Sequence, residues 1–265
     1  MRLNGDPVRK LSDLALALPM AMITPQSHRI LEEGPDYRRR LLNWGLFHVE
    51  HHYGSLLSSY TRVLMQRNHA LRAHGSSGLE VWDKQLVKLS MQISRMQENY
   101  VAVWNGHLEK LTRSISLFPD LKLSSYPGWD QDTTLEILLR SKVESDRKQG
   151  FTSVGSHRAD IQIHVGGLQA KNLLSRGQQK LLIFMLIFAQ SLYMTQKIDD
   201  APIFLIDDLQ SELDPVSQGK VLSLLTTYRL QSLITGTSPS NVLTDSAIVG
   251  AKMFHVEHGE LASKD

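Results

Sequence analysis

The strongest constraint on this chain is a short apolar run, Pro202-Ile203-Phe204-Leu205-Ile206, that stops at Asp207-Asp208. Five apolar residues without alternation, followed by acids, read as one short continuous strand. If the strand is parallel to its neighbours, its carboxyl end lies where open α/β sheets bind ligands. In nucleotide hydrolases the first acid of such a pair serves Mg²⁺ and the second polarises the attacking water. Two acids can also simply end a strand and open the next loop, and the pair alone does not separate the two uses.

The surroundings supply the sheet. A helical pattern rich in Leu, Ile, Phe and Ala covers Gly177–Tyr193, another covers Pro215–Tyr228, and Gln231–Thr235 reads as a further strand. That β-α-β-α-β order predicts an α/β fold with a parallel or mixed sheet. Met20–Thr24 reads as a strand, and Ile161–Val165 alternates before Gly166-Gly167, a hairpin turn. Between these stretches lie two long helical patterns, Tyr37–Ala73 and Leu79–Leu117, separated by the turn-forming cluster His74–Gly78. The short connection predicts an antiparallel helical arm. The expected division is 1–33 as the remainder of a first lobe, 34–120 as the arm, and 121–265 as the main α/β lobe.

Composition narrows the function. With no cysteine among 265 residues, a disulfide scaffold and thiolate chemistry are excluded. No apolar run reaches the roughly 20 residues of a membrane-spanning helix, so no membrane role and a cytoplasmic setting are expected. The net charge of +2 does not announce nucleic acid, but 34–115 holds eleven Lys/Arg against six Asp/Glu. That surplus suits a phosphate backbone, and equally an ordinary solvated helix surface. Arg38, Arg39 and Arg40 are the candidate phosphate contacts within it.

Two further strings carry chemistry. Ser211-Glu212-Leu213-Asp214 follows the acid pair, and Pro215 opens a helix with Asp214 as its N-cap. Upstream, Leu174-Ser175-Arg176-Gly177-Gln178-Gln179-Lys180 begins the apolar helix. A serine there caps free backbone amides, glycine permits close approach, and the positive helix end favours phosphate. In isolation this would be a good N-cap and no more.

Together the strings resemble a known family. L-S-R-G-Q-Q-K followed by F-L-I-D-D-x-x-S-E-L-D is similar to the ABC signature, Walker B and D-loop of RecF-type proteins. The likeness extends to Gly155-Ser156-His157-Arg158-Ala159-Asp160, where Ser156 replaces a proline. It reaches Gly34-Pro35-Asp36-Tyr37-Arg38-Arg39-Arg40-Leu41-Leu42-Asn43, with Asn43 in place of an aspartate. Trp82-Asp83-Lys84-Gln85-Leu86 and the closing Phe254-x-Val256-x-x-Gly259 fit as well, so almost the whole chain is covered.

The resemblance implies a partial ABC-type ATPase lobe with an inserted helical arm, using ATP and Mg²⁺. It implies Asp207 for Mg²⁺ and Asp208 for orienting water. Ser175, Arg176, Gly177, Gln178 and Asp214 would meet ATP held by the opposite subunit. Thr235 or Thr237 would sense the γ-phosphate, and Gln26 would fall near the Q-loop. The implied partners are single-stranded or gapped DNA, recombination-mediator proteins and a second copy in an ATP-dependent homodimer, in support of the SOS response.

One expected part has no counterpart. The phosphate-binding loop G-x-x-x-x-G-K-[ST] does not occur; the single Gly-Lys pair, Gly219-Lys220, follows Asp214 by five residues and precedes Val221. In the family that loop comes near the N-terminus, ahead of the stretch that Met1 begins, so the chain is expected to be a truncated product, a mis-called start, a split protein or a fragment. Two readings therefore compete: an ATPase subunit of recombinational repair, and a non-catalytic DNA- or partner-binding remnant without turnover. A metal phosphoesterase using Asp207, Asp208, Glu212 and Asp214 ranks below both. His48, His51 and His52 share a helical face and Phe-His-Val-Glu-His recurs at 47–51 and 254–258. Zinc is conceivable there, but one copy is expected in a helix and the other in a strand.

Overall fold

The computed structural model describes residues 2–3, 5–8, 10–73, 78–237, 251–258 and 260–264; most of the turn cluster expected at His74–Gly78 lies outside them. The chain opens with a small antiparallel hairpin, β1 (Arg2–Leu3) and β2 (Asp6–Pro7), then a short helix α1 (Leu11–Ala17) and strand β3 (Met20–Ile23). A 3-10 turn over Pro25–His28 leads into α2 (Arg29–Glu32) and α3 (Pro35–Val49). Pro35 stands at the first helical position of α3, where its missing N–H costs nothing.

The single helix expected over Tyr37–Ala73 is two. After α3 the backbone of Glu50 is extended, and α4 starts at Tyr53 and ends at Arg72. The cause is Tyr53. It is fully buried, donates to Asn43 Oδ1 at 2.6 Å and accepts from Gln97 Nε2 at 3.2 Å. In an unbroken helix, ten residues would separate Asn43 and Tyr53 by about 15 Å, so this contact requires the chain to fold back. Burial pushes the Tyr53 hydroxyl up to about 12.

Helix α5 (Leu79–Ile115) then runs 37 residues, about 55 Å. Cross-contacts show that α4 and α5 are antiparallel, since Arg67 meets Asp83 while Tyr53 meets Gln97. The far half of α5 enters the α/β body instead of projecting from it. Trp104 Nε1 donates to Leu186 O at 3.0 Å, and the Asn105 amide exchanges two 2.8 Å hydrogen bonds with the backbone of Leu123.

Strand β4 (Lys122–Tyr126), helices α6 (Leu135–Ser141) and α7 (Val143–Gln149), and strands β5 (Asp160–Val165) and β6 (Leu168–Gln169) follow. β4, β5 and β6 form an antiparallel sheet, with Gly166-Gly167 in the expected hairpin. Next come α8 (Ala170–Leu173), α9 (Arg176–Ile198), β7 (Ile203–Ile206), α10 (Leu209–Glu212), α11 (Pro215–Thr227) and β8 (Ser232–Ile234). A terminal hairpin, β9 (Met253–Glu257) and β10 (Glu260–Lys264), closes the series.

The parallel sheet has the order β3-β7-β8. One face rests on α9: Phe204 of β7 packs against Phe188 and Phe184, with ring centroids 5.6 and 6.3 Å away. α9 is the one helix among the described residues long and apolar enough to cross a bilayer, and it is spent as a mostly buried core helix.

The polar node holding the arm is Arg67, which is fully buried. It donates to Asp83 Oδ1 (2.6 Å), Asp146 Oδ2 (3.0 Å) and Thr152 Oγ1 (2.8 Å), joining α4 to α5, to α7 and to the loop behind it. Removing one member of such a group strands the others without solvent. Arg67→Ala should cost about 3–5 kcal/mol, read as a lower midpoint in urea unfolding; a loss below about 1 kcal/mol would show that the carboxylates do not depend on it.

Candidate functional site

The register of the parallel sheet aligns Ile23, Ile206 and Ile234, so three strands end side by side. Asp207 and Asp208 stand immediately beyond that rim. The backbone of Asp207 donates to Ile23 O at 2.9 Å, fixing the acid between β3 and β7. From the β8 side, Thr235 Oγ1 donates to Asp207 Oδ1 at 2.8 Å and accepts from the Asp208 backbone N–H at 2.9 Å. One hydroxyl therefore orients both acids. Thr235 N donates to Ile206 O at 2.9 Å, so the threonine itself is held by the sheet.

Asp208 has a left-handed backbone, φ 53°. Aspartate tolerates this region better than most residues, but still at a cost. Its Oδ1 is buried with no hydrogen-bond partner. A strained backbone and an uncommitted carboxylate oxygen together mark a position kept for something other than stability. Beside Asp207 a cavity of about 20 Å³ has a mostly apolar lining, with Thr24, Ser27, His28, Lys180 and Glu212 as its other polar members. That is room for one water or one ion.

The second component is the start of α9. Ser175 caps it through a capping box: Ser175 N donates to Gln178 Oε1 at 2.9 Å, and Gln178 N donates to Ser175 Oγ at 3.4 Å. Ser175, Arg176, Gly177 and Gln178 are all exposed, and a Cβ on Gly177 would meet nothing within 4 Å. The helix end, with its partial positive charge, thus faces open space. Lys180, one turn further, pairs with Glu212 of α10 at 3.2 Å. This ion pair ties the helix start to the segment that follows Asp208. Sequence reasoning passed over Lys180 and gave Glu212 only a metal-binding use, although both lie inside the strings it singled out.

Asp214 caps α11, accepting from the backbone N–H groups of Val216 and Ser217 at 3.0 Å each and from Ser217 Oγ at 2.6 Å. These bonds hold its carboxyl below the usual 3.8. Thr237 is exposed in a bend beyond β8, and no hydrogen bond links it to the acid pair, whereas Thr235 touches both acids. Gln26 is exposed on the 3-10 turn that follows β3.

The three arginines lie apart from this site, on α3. Arg38 is engaged by Asp160 through two bonds of 2.8 and 3.0 Å, Arg39 donates to Ala159 O at 2.6 Å and pairs with Asp36, and Arg40 is exposed over the Tyr37 ring. The histidines do not converge: His48 is buried against Trp44 and Phe47, with burial lowering its pKa, while His51 and His52 form the exposed break after α3. Among the described residues no group of three or more His, Cys, Asp or Glu could hold a metal ion. The four-acid arrangement is likewise not assembled, because Glu212 is paired with Lys180 and Asp214 is occupied as a cap.

The RecF/RecN/SMC N terminal domain family model matches residues 1–260. The chain belongs to the RecF family. It is 37% identical over 262 residues to the DNA replication and repair protein RecF of Shewanella piezotolerans, covering 98% of this chain and 73% of that protein. The RecF of Shewanella frigidimarina is also 37% identical, with 98% and 72% covered. Among solved structures, the recombination mediator protein RecF-ATP in the RecFOR pathway superposes with a TM-score of 0.82 at 25% identity, over 99% of this chain and 73% of that one. The RecF-ATPrS structure shares the fold, with a TM-score of 0.80 at 24% identity.

The starts of α9 and α11 are thus held by side-chain caps, and one of these is directly testable. Asp214→Ala should destabilise the protein by about 0.5–2 kcal/mol, seen as a lower urea midpoint. Because the folded carboxyl is the stronger acid, its contribution is present above pH 3.8 and fades as the pH falls through the lower folded value. Asp214→Asn should therefore flatten the acid limb of stability against pH.

Proposed function

We propose that this chain is a RecF-type DNA replication and repair protein whose site is one half of a shared ATP pocket. The observation carrying the reading is the acid pair at the parallel rim, with Asp208 Oδ1 uncommitted, tied by Lys180–Glu212 to an exposed capped helix start. The residues present suit a nucleotide only in part. They supply the acids and an anion-favouring helix end, but the 265 residues hold no phosphate-cradling loop.

In this reading Asp207, with Thr235 orienting it, holds Mg²⁺, and Asp208 positions the attacking water. Ser175, Arg176, Gly177 and Gln178, with Asp214 nearby in the D-loop, close on a nucleotide carried by another copy; Thr235 fits the sensor role better than Thr237. When bound, Mg²⁺ neutralises charge on the phosphates. ATP-gated dimerisation would then clasp single-stranded or gapped DNA in the cytoplasm and recruit recombination mediators, in support of the SOS response. The arm over 34–120, with Arg40 its exposed α3 arginine, would lie between lobe segments 1–33 and 121–265. A second reading, a non-catalytic DNA- or partner-binding remnant without turnover, is favoured only by the lack of a phosphate-cradling loop among the 265 residues.

Two measurements separate them. This chain alone should show no saturable ATP binding up to millimolar concentration, because nothing cradles the β and γ phosphates. Mixed with the full-length Shewanella piezotolerans relative, it should associate only when ATP is present, and Ser175→Arg should abolish that association in sedimentation. Association indifferent to ATP, or to Ser175→Arg, would overturn the shared-pocket reading; ATP-driven self-association of the relative serves as the positive control.

A further inference from the structure

The cationic surplus of 34–115 is only partly absorbed by the fold. Arg38, Arg39, Arg67 and Arg113 are each paired with a carboxylate. Arg62 of α4 and Lys88 and Arg95 of α5 are exposed, and among the described residues none of the three makes a hydrogen bond or ion pair. The register of the helix pair, fixed where Arg67 meets Asp83 and Tyr53 meets Gln97, sets residue 62 level with residue 88 and residue 55 level with residue 95. Two cations therefore stand level on neighbouring helices, and neither is neutralised. α4 itself contains no Asp or Glu.

A second observation lies one turn away. Between α4 and α5 runs an open groove of about 570 Å³ with a mostly apolar lining. Leu56 and Met96, both half-buried, supply apolar surface from either helix, and Gln92, Arg95 and Asn99 line the α5 side. No carboxylate lines it. Lys88 continues the α5 stripe one turn before Gln92, and Arg62 follows Ser59 by three residues on α4. Met91, next to Gln92, is 54% exposed. Methionine adapts its shape to a partner and recurs on binding surfaces.

We infer that the α4–α5 groove is the docking site for an acidic amphipathic helix of a partner protein. Two antiparallel helices leave a channel that a third helix fills with its apolar face inward. Cations of one sign along the rim attract a carboxylate-bearing segment and orient it. The Arg95 guanidinium suits a carboxylate through two parallel hydrogen bonds. Nucleic acid, the other polyanion, fits less well. Ser55 Oγ and Ser59 Oγ donate their protons to His52 O and Ser55 O, each at 2.9 Å, so neither is left to donate to a phosphate. No Phe, Tyr or Trp lines the groove for a base to stack on. The surface lies on the arm, and its use depends on neither the acid pair nor the α9 start.

The probe is a fluorescein-labelled three-heptad peptide with Leu at the a and d positions and Glu at e and g, titrated with the whole chain and read by fluorescence anisotropy. It should bind in the micromolar range, and the same peptide with Lys in place of Glu should not. Arg62→Glu and Arg95→Glu should each weaken binding at least tenfold, while Arg95→Lys retains most of it. Lys148→Glu, at an exposed lysine of α7, should leave it unchanged, with circular dichroism confirming the fold of every variant. The peptide's leucines could instead settle on the exposed Met22 and Leu233 of the parallel sheet. Binding there would be indifferent to both glutamates, and that result would overturn the inference, as would the absence of saturable binding. A single-stranded oligonucleotide is the remaining arm, and its binding should be unchanged by either glutamate. A loss of oligonucleotide binding that matches or exceeds the loss of peptide binding would assign the groove to nucleic acid instead.

Discussion

The stacking of Phe184 and Phe188 of α9 against Phe204 of β7 fixes the geometry on which the site depends. These three rings are almost completely buried, and their contact sets how far the start of α9 lies from the end of β7. Aromatic burial supplies much of the apolar area in any such core. Here it also aligns two ends, one a helix start and the other a strand terminus that leads into the acid pair. Trp104 adds a third direction by donating to Leu186 O, so α5 is locked to the same helix. α9 is thus the common wall of the parallel sheet and the arm.

The strings that resemble the family away from the acid pair and the α9 start are used as joints. Arg38 reaches 122 residues along the chain to grip Asp160, and His157 is held between Tyr60 and Thr152 O. Burial lowers the His157 pKa to about 4, so the ring is neutral at physiological pH and serves as a hydrogen-bonding wedge. Gly155 has φ 128°, and a Cβ there would come within 2.8 Å of the Tyr60 hydroxyl. The two departures from the family pattern have local partners: Asn43 accepts from Tyr53, and Ser156 donates to Ser90 O over a long 3.4 Å. An amide and a hydroxyl therefore make contacts inside the fold at the two positions where the family has an acid and an imino acid.

Much of the fold was legible because its signals are local. The apolar run at 203–206, the Gly166-Gly167 hairpin and the caps at Ser175 and Asp214 each depend on a few adjacent residues. The break between α3 and α4 was not legible, since residues 50–52 contain no proline or glycine to announce it. It arises from a tertiary contact of Tyr53 with Asn43 and Gln97, which no window of sequence displays. The same holds for the arm's attachment: periodicity shows that α5 is a long helix but not that its far half lies against α9. At the site, the acids and the serine were visible as motifs, whereas Lys180–Glu212 joins two of those motifs across 32 positions and emerges only in three dimensions.

The acids and the helix start are positioned by separate devices, and that separation has a consequence for the chemistry. Asp207 is fixed by Ile23 O and the Thr235 hydroxyl, while the α9 start is fixed by its own capping box. Neither arrangement uses a ligand, so both persist in the free chain. Preorganised groups stabilise charge at less cost than groups that must rearrange when charge arrives. The exception is Asp208, whose left-handed backbone and unpartnered oxygen are a cost carried by the free protein. Such a cost is recovered only when a donor or cation meets that oxygen. The energetic bias therefore runs toward filling the rim between β3 and β7.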